Sequence, residues 1–552
     1  MANRGYPLTT QAIERPSWTL YPGLVIAAAL LALVATVLIF IFNAGVNSGF
    51  EGFEIGSLYR IILFTTLQAS LSTAISLALG ILLAWSLSHR RQFTGRKLLI
   101  ALLSLSMVLP SLVVAFGLIS VLGRNGWVNQ VLDTLNLPGF DSAIYGLTGI
   151  LIAHVYLNLP FIARGLLQRL EALPVEQPKL ACSLNLTAWQ RFKIVEWPAL
   201  RASIPGLSVT VFLICFTSFA IVLILGGSPA YNTLEVAIYE AIKLEFDLPR
   251  AVILALIQLS ICGALVLMAS GLRSLDASIA TARPVFIESA TLATRLIQTL
   301  SIVSFALFFL TPLSAVIIDG LKADLLSIFS SSIFQKAFLT SVVIAVVSTL
   351  VTLFIALSLA TTTRCLGSHL RIRQSALSRW ASKTVSLSAV IYLTVPSIVI
   401  GFGFFLIAQH LSGDVYALAP LALLTANVLL SLPFAMVILG PAIHKVSSKY
   451  DKLAFSLGIR GISRWRMIEW PSLRREIGLV SALSFCFSLG DLGVIALFGN
   501  RDFATLPLLL YQSAGAYRTT DAAGIALILL GLTLFAFLLT PKLFERRNDA
   551  KT

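Results

Sequence analysis

The sequence predicts an all-α integral membrane protein with about twelve transmembrane helices in two homologous halves of six. The chain has 552 residues, of which 57% are hydrophobic and only 12% are charged. Soluble proteins carry about 25% charged residues. Apolar runs of about 20 residues, the length that crosses a bilayer, recur along the whole chain. The first half of the chain is also related in sequence to the second half. These observations exclude a soluble globular protein.

Each predicted span is an apolar run bounded by polar or charged residues. We place the spans at about 22–43, 59–87, 98–122, 144–167, 203–226, 249–272, 296–318, 337–361, 384–409, 415–440, 478–498 and 521–541. No connection between them is long and polar enough to form a separate soluble catalytic domain. An even number of spans places both termini on the same side of the membrane.

The basic residues predict the orientation. The net charge is +15, and most of the 40 Lys and Arg residues lie in connections on the side of the N-terminus, with the richest at 90–97, 371–383 and 445–475. Connections rich in Lys and Arg remain in the cytoplasm. We therefore expect a multi-pass inner-membrane protein with both termini in the cytoplasm. Because the charges form no continuous stripe, we expect no nucleic-acid partner.

The composition predicts no catalytic residues and no cofactor in this chain. The five cysteines are scattered, and the five histidines lack the spacing of metal ligands. A Walker A phosphate-binding motif requires Gly-Lys, and that dipeptide does not occur in the chain. A membrane-embedded enzyme would need a cluster of catalytic polar residues within the spans, which the sequence does not provide. We therefore do not expect the chain by itself to be an enzyme.

An internal repeat relates the two halves. Leu-Asn-Leu-Pro-Phe at 157–161 recurs as Leu-Ser-Leu-Pro-Phe at 430–434, and Glu-Trp-Pro at 196–198 recurs at 469–471, both displaced by 273 residues. Chance similarity of apolar sequence does not explain shared Glu, Trp and Pro in a polar connection. The predicted units are an N-terminal segment with the first span (1–58), a first repeat (59–272), a linker with the seventh span (273–336), a second repeat (337–541) and a cytoplasmic tail (542–552). Six spans followed by six predict parallel repeats related by an axis along the membrane normal.

Each half has one long cytoplasmic connection, at about 165–202 and about 441–477. The first contains Lys-Leu-Ala at 179–181, Asn185 and Val-Glu-Trp-Pro at 195–198, and the second contains Lys-Leu-Ala at 452–454, Gly458 and Ile-Glu-Trp-Pro at 468–471. This spacing resembles the EAA loop of the permeases of bacterial ABC importers, in which E-A-A is followed after three residues by G and after nine more by I-x-L-P. Asn185 replaces the glycine in the first half, and Asn tolerates a left-handed backbone.

The resemblance implies the type I ABC importer permease fold, with a coupling helix in each loop that docks in a groove of an ATPase subunit. The residues implied in ATPase coupling are Leu180, Ala181, Leu184, Asn185, Leu186, Leu453, Ala454, Leu457, Gly458, Ile459 and Arg460. The loop ends are Glu196, Trp197, Pro198, Glu469, Trp470 and Pro471. The alternative for one such loop is an amphipathic helix lying on anionic lipid; two copies at matched spacing favour docking.

Further partners follow from the same resemblance. Two docking loops on one chain imply two copies of a separate ABC ATPase subunit, which would use the ATP and Mg²⁺, together with a periplasmic substrate-binding protein. The segments 194–201, 468–475 and 487–499, and the stretch from 505 to 518, resemble most closely the importer permeases for thiamine and thiamine pyrophosphate. Ferric iron importer permeases of the same fused architecture are the alternative. A secondary transporter also has two six-span halves, but it would not need paired docking loops.

Four polar residues are candidates for the translocation pathway. Asp491 lies within a predicted span, and an acid within the membrane is by default a pathway or gating residue. A carboxylate suits the fixed positive charge of the thiamine ring, although Asp491 could equally hold the halves together through backbone or amide contacts. Tyr511, Asn158 and Asn427 are weaker candidates, since hydrogen bonds between helices explain them as well.

Overall fold

The computed structural model describes residues 20–48, 55–139, 144–174, 176–227, 230–270, 291–372, 380–381, 383–385, 387–388, 395–411, 416–459, 461–500 and 502–544. Every regular element in these residues is helical. Arg460, the predicted N-terminal segment before residue 20, the start of the predicted linker up to 290 and the tail from 545 onward lie outside the described residues.

The described helices fall into two comparable series. The first comprises α1 Leu20–Ser48, α2 Ile55–His89, α3 Arg96–Leu105, α4 Ser111–Leu122, α5 Trp127–Thr134, α6 Leu147–Glu171, α7 Glu176–Ser183, α8 Ala188–Arg191, α9 Trp197–Arg201, α10 Ile204–Phe216, α11 Ala220–Leu225, α12 Leu234–Lys243 and α13 Leu248–Ser270. The second comprises α14 Leu292–Leu321, α15 Leu325–Ser330, α16 Ser332–Ile372, α17 Ser397–Leu411, α18 Ala419–Ser456, α19 Gly461–Arg464, α20 Trp470–Gly490, α21 Gly493–Phe498, α22 Leu506–Gly515 and α23 Thr519–Phe544.

Ten helices of the described part are long and apolar enough to cross a bilayer, or eleven if the bent pair Ala188–Arg201 and Ile204–Phe216 counts as one span. The span predicted at about 384–409 is described only in part, and its described portion contains the shorter apolar helix α17. The predicted all-α, multi-span architecture is therefore confirmed.

The packing of the helices repeats between the halves. In the first half α2 packs on α6 and α10, and in the second half α16 packs on α18 and α20. The first helix of each series contacts both halves. Besides α13 of its own half, α1 packs on α16 and α17, and besides α23 of its own half, α14 packs on α2 and α4. Close approach requires glycine at these crossings: a Cβ on Gly117 of α4 would lie 2.7 Å from the Pro312 carbonyl oxygen of α14. The two halves are thus interlocked.

Two predicted spans are broken, which corrects the sequence-based expectation of continuous helices at 203–226 and 478–498. In the first half α10 ends at Phe216 and α11 begins at Ala220; in the second half α20 ends at Gly490 and α21 begins at Gly493. The breaks occupy equivalent positions of the repeat. Asp491 has an extended backbone (φ −72°, ψ 127°), and its Oδ1 accepts a hydrogen bond of 3.3 Å from the Gly493 amide. Short polar side chains compete in this way with the helical backbone hydrogen bonds.

Prolines act differently at different spans. The predicted span at 98–122 consists of α3 and α4, which are separated at Ser106–Pro110, and Pro110 is the N-cap residue of α4. Pro160 and Pro433, by contrast, lie inside the continuous helices α6 and α18. A proline inside a membrane helix is tolerated because neighbouring helices can satisfy the backbone groups that it leaves unpaired.

Candidate functional site

The two helices predicted to dock an ATPase, for which we keep the name coupling helices, are α7 in the first half and the C-terminal part of α18 in the second. In the first half α7 is separate from α6. Pro174 lies between them, and a proline disfavours helical backbone in the residue that precedes it. In the second half the equivalent position is Ser447, and α18 continues without a break from Ala419 to Ser456. The connection predicted at about 441–477 is therefore helical in its first part and rigidly continuous with a membrane helix.

Both coupling helices end in the same way. Asn185 has φ 51° and Gly458 has φ 65°, so the left-handed backbone expected at this turn is present in both halves. The next amide folds back onto the helix: Leu186 donates to the Ala181 carbonyl at 3.1 Å, and Ile459 donates in the equivalent bond at 2.9 Å. This bond over five residues is that of a Schellman motif, which satisfies carbonyls that a helix end would otherwise leave unpaired.

The leucines of the coupling helices face outward. Leu180 and Leu184 are 61% and 63% exposed, and Leu453 and Leu457 are 52% and 63% exposed. Residues four apart lie on one helix face, so each helix presents a leucine pair in the same direction. Other predicted coupling residues are less exposed. Ala181 and Ala454 are buried on the inner face of their helices, and Leu186 and Ile459 are half-buried.

The structure adds two apolar pairs that the sequence analysis missed. Trp189 and Ile462 are 70% and 84% exposed, and Ile194 and Met467 are 60% and 68% exposed. Each pair is displaced by the same 273 residues as the leucines, and that displacement was the signal that could have found them. We call these exposed residues and the leucine pairs the docking surfaces, one per half. Exposed apolar patches of this kind mark interaction sites.

After the turn, each docking loop continues with the short helix α8 or α19, which passes directly into a segment of π-helix at Phe192–Glu196 or Trp465–Glu469. It is followed directly by Trp-Pro in both halves, with Pro198 and Pro471 near the start of the next α-helix. A proline within a helix clashes with the carbonyl four residues earlier. The wider π turn moves that carbonyl aside, which explains why Glu-Trp-Pro and the π segment occur together.

The glutamate of each Glu-Trp-Pro motif is buried at the centre of an ion network. In the first half Glu196 Oε1 lies 3.1 Å from His89 Nε2, at the end of α2, and 3.4 Å from Arg191 Nε. The contact of Arg191 Nε is an ion pair and not a hydrogen bond. Glu196 Oε2 has no hydrogen-bond partner among the described residues. The motif thus links the docking loop to the C-terminal end of a membrane helix.

The network in the second half has shorter contacts and includes one more residue. Glu469 Oε1 lies 2.7 Å from Arg364 Nη1 on α16 and 2.9 Å from Arg464 Nε. Arg464 also pairs with Asp451 on the coupling helix, where the first half has Pro178. The second loop is therefore tied both to its coupling helix and to α16.

The four predicted pathway residues have different surroundings in the structure. Asn158 donates to Cys215 Sγ at 3.2 Å and Asn427 donates to Ser488 Oγ at 2.7 Å, and both asparagines are buried. These contacts join neighbouring helices of one half and favour the structural alternative for both asparagines. Asp491 uses Oδ1 to cap α21, while its Oδ2 is buried without a partner in the described part of the chain.

Tyr511 of the second half interacts electrostatically with residues of the first half. It is half-buried on α22, and burial together with the negative charge of Glu240 on α12 raises its pKa. Tyr239, its repeat equivalent on α12, has its pKa raised to about 12 by burial, with further contributions from Tyr511 and Glu240. The two equivalent tyrosines, one in each half, therefore influence each other's titration.

Comparisons with known proteins agree with this arrangement. The family model described as binding-protein-dependent transport system inner membrane component matches residues 76–275 and 366–548. The chain is 38% identical over 549 residues to the thiamine transport system permease protein of Escherichia coli (strain K12), covering 98% of each chain. It is 38% identical over 554 residues to the protein of that name in Salmonella typhimurium, covering 100% of each chain, and 38% identical over 495 residues to that of Brucella abortus, covering 89% of each.

Proposed function

The chain belongs to the family of binding-protein-dependent transport system inner membrane components, and we propose that it is the permease of an ATP-driven importer of thiamine or its phosphate esters. The observation that supports this substrate is the similarity to thiamine permeases, which runs over nearly the whole chain. The segments 194–201, 468–475 and 487–499, which resembled thiamine permeases in the sequence, lie in the docking loops and at the broken helix α20–α21.

We propose that each docking surface binds one ABC ATPase subunit, so that the complex holds two. Two surfaces with the same leucine positions and the same helix ending support equivalent partners. Burial of one exposed leucine in a partner's groove stabilises the complex by about 2 kcal/mol. ATP and Mg²⁺ would be used in those subunits, and this chain would supply the route and the coupling without covalent chemistry. A periplasmic binding protein would deliver the substrate from the outer side.

The proposed coupling runs through the two buried glutamates. When the ATPases close, each coupling helix moves with its partner. Glu196 would transmit this movement to α2 through His89, and Glu469 would transmit it to α16 through Arg364. Because α1 and α14 pack on the opposite halves, movement of one half would also displace the other. The outcome would be alternating access between the two sides of the membrane.

The proposed orientation places both termini and both docking surfaces in the cytoplasm of an inner membrane. The supporting feature is the concentration of Lys and Arg in the connections on that side, which the positive-inside rule predicts. A reporter fused after residue 544 and one inserted in the connection at 499–505 should therefore report opposite sides of the membrane.

The test is ATP hydrolysis by the permease reconstituted with its ATPase and binding protein. Thiamine should stimulate hydrolysis, ferric iron should not, and the stimulation should disappear when Leu184 and Leu457 are both changed to Ser. Stimulation by ferric iron alone would assign the chain to the alternative importer class. Failure of any ATPase to co-purify would contradict the importer proposal as a whole.

A further inference from the structure

A buried carboxylate outside the docking surfaces has no role in the mechanism above. Glu235, in the first turn of α12, is 0% exposed. Its Oε1 accepts a hydrogen bond of 2.9 Å from Nε2 of Gln258 on α13, which is also 0% exposed. Within the described ranges, Glu235 Oε2 and Gln258 Oε1 have no hydrogen-bond partner. Leaving such atoms unpaired in the interior is energetically unfavourable, so an arrangement of this kind requires an explanation.

The second half contributes another acid to the same region. Asp491 lies in the break between α20 and α21, and α12 packs on α21. The negative charge of Asp491 acts on the Glu235 carboxyl and raises its pKa further, after the larger effect of burial. The break itself lies against the first half, since a Cβ on Gly490 would be 3.3 Å from the Pro110 Cα. Glu235 and Asp491 therefore come from different halves, and the helix that carries Glu235 packs on the helix that begins directly after the break at Asp491.

Three of the unpaired atoms that the described residues leave in this region are acceptors. They are Glu235 Oε2, Gln258 Oε1 and Asp491 Oδ2. In the part of the chain that the structure describes, neither carboxylate forms an ion pair with Lys, Arg or His. Buried acceptors without a donor favour a positively charged ligand that also donates hydrogen bonds.

The position in the fold supports a pathway site. Both halves have a broken helix at the same point of the repeat, and in transporters such breaks at the interface of repeats line the substrate site. The acids themselves are not repeated. Ser218 occupies the position equivalent to Asp491 at the displacement of 273. Further along, Thr233-Leu234 aligns with Thr505-Leu506 at a displacement of 272, which makes Pro507 the equivalent of Glu235. The pair therefore occurs once per chain, which fits one ligand bound between two unequal halves.

We propose that Glu235, Gln258 and Asp491 form a recognition site for an organic cation at the boundary between the halves. The inference rests on the proposed function, because thiamine combines a fixed positive charge with an amine that donates hydrogen bonds. The two carboxylates would face the charge, and the Gln258 carbonyl would accept from the amine. A metal ion fits less well, since the described residues contain no group of three or more His, Cys, Asp or Glu that could hold one.

The competing explanation is structural. A protonated Glu235 could bond Gln258 through both of its oxygens and simply join α12 to α13. The two explanations differ in what Glu235→Gln does. A glutamine keeps the size and the hydrogen-bonding capacity of a neutral carboxyl, so it would preserve a structural contact but remove the charge that the proposed site requires.

The experiment measures thiamine binding and thiamine uptake separately. Radiolabelled thiamine is added to the permease–ATPase complex without the binding protein in equilibrium dialysis, and uptake is followed in proteoliposomes that hold the full complex. Glu235→Gln and Asp491→Asn should each weaken thiamine binding at least about tenfold and slow uptake correspondingly. Asp491→Glu, which keeps the charge, should retain more binding than Asp491→Asn. Glu245→Gln and Asp502→Asn remove exposed acids and should behave as the wild type.

Wild-type binding and uptake in both Glu235→Gln and Asp491→Asn would overturn the cation site. If Glu235→Gln does not yield a folded complex, the comparison of Asp491→Asn with Asp491→Glu decides the question, and equal loss in both would also overturn it. Failure of the proposed function looks different: the wild-type complex would then import no thiamine at all, and both proposals would be rejected together.

Discussion

Arg364 Nη1 lies 2.7 Å from Glu469 Oε1, whereas the corresponding contact in the first half, from His89 Nε2 to Glu196 Oε1, measures 3.1 Å. Each pair links a docking loop directly to the C-terminal part of a membrane helix. The second pair is reinforced by Arg464, which also holds Asp451 on the coupling helix. The two docking loops of one chain are therefore attached with unequal strength.

This inequality predicts unequal energetic coupling. Arg364→Ala should lower the free energy of unfolding by about 2 kcal/mol, because it removes a charged hydrogen bond from a buried carboxylate. His89→Ala should cost about 1 kcal/mol, since its contact is longer and part of the Glu196 carboxylate is already unpaired among the described residues. Double-mutant cycles on each pair, read from unfolding of the purified permease, measure the two coupling energies. Equal coupling energies in the two halves would contradict the inequality.

The docking surfaces predict a binding defect without a folding defect. Leu184→Ser or Leu457→Ser should weaken ATPase binding about tenfold or more, because each exposed leucine would lose the contribution of burial in the partner. The thermal midpoint of the isolated permease should stay unchanged. Leu244→Ser is the matched control: this leucine is 65% exposed but lies in the predicted outer connection. Weakened binding in this control would show that any exposed leucine has the same effect, and the docking surfaces would lose their support.

The turn after the second coupling helix predicts an ordering of substitutions. Gly458→Ala should destabilise the turn by about 1–2 kcal/mol, since the left-handed backbone is unfavourable for alanine. Steric clash is not the reason, because a Cβ there meets no described atom within 4 Å. Gly458→Asn should cost less, as Asn185 holds the same conformation in the first half. Thermal unfolding and stimulated ATP hydrolysis both measure the effect.

A control is available within a membrane helix. Gly206 lies in α10 with ordinary helical backbone, and a methyl group added there would meet no atom of the described residues within 4 Å. Gly206→Ala should therefore be neutral or slightly stabilising. If Gly458→Ala behaves like Gly206→Ala, the left-handed turn does not constrain the coupling helix.

Glu235 predicts a specific pH dependence. The helix that carries it, α12, is not one of the membrane-spanning helices. Burial raises the pKa of its carboxyl from 4.5 to about 8, the hydrogen bond from Gln258 opposes this shift, and the charge of Asp491 adds to it. A pKa that is raised on folding means that the folded state binds the proton more tightly than the unfolded state. The contribution of Glu235 to stability should therefore fall as the pH rises from about 5 to about 8, and change little beyond.

The measurement is the thermal midpoint of the wild type relative to Glu235→Gln across that range. The difference should favour the wild type progressively less as the pH rises. Glu245→Gln should leave the pH profile of the wild type intact, because Glu245 is exposed and pairs with Arg250 outside the buried site. A pH-independent difference between the wild type and Glu235→Gln would contradict the raised pKa.

Much of the docking loop was predictable from local sequence. The position of the turn at Asn185 and Gly458 followed from residue types that tolerate a left-handed backbone, and the structure confirms that conformation. Exposure was less predictable. Ala181 and Leu180 are neighbours in the same motif, yet one is buried and the other exposed, because the surrounding helices decide which face of a short helix is covered. Trp189 and Ile194 were missed for the same reason.

The sequence by itself determined the membrane-spanning helices, the internal repeat and the two docking loops, since hydropathy, proline and glycine act within a few residues of their own position. Only the tertiary structure decided where α10–α11 and α20–α21 break, and that His89 and Arg364 meet the two motif glutamates. It also decided that the helix of Glu235 in one half packs on the helix that follows Asp491 in the other. These partners are separated by about a hundred residues or more. Their pairing depends on how interlocked helices pack, and in an apolar solvent many packings satisfy the same hydropathy pattern.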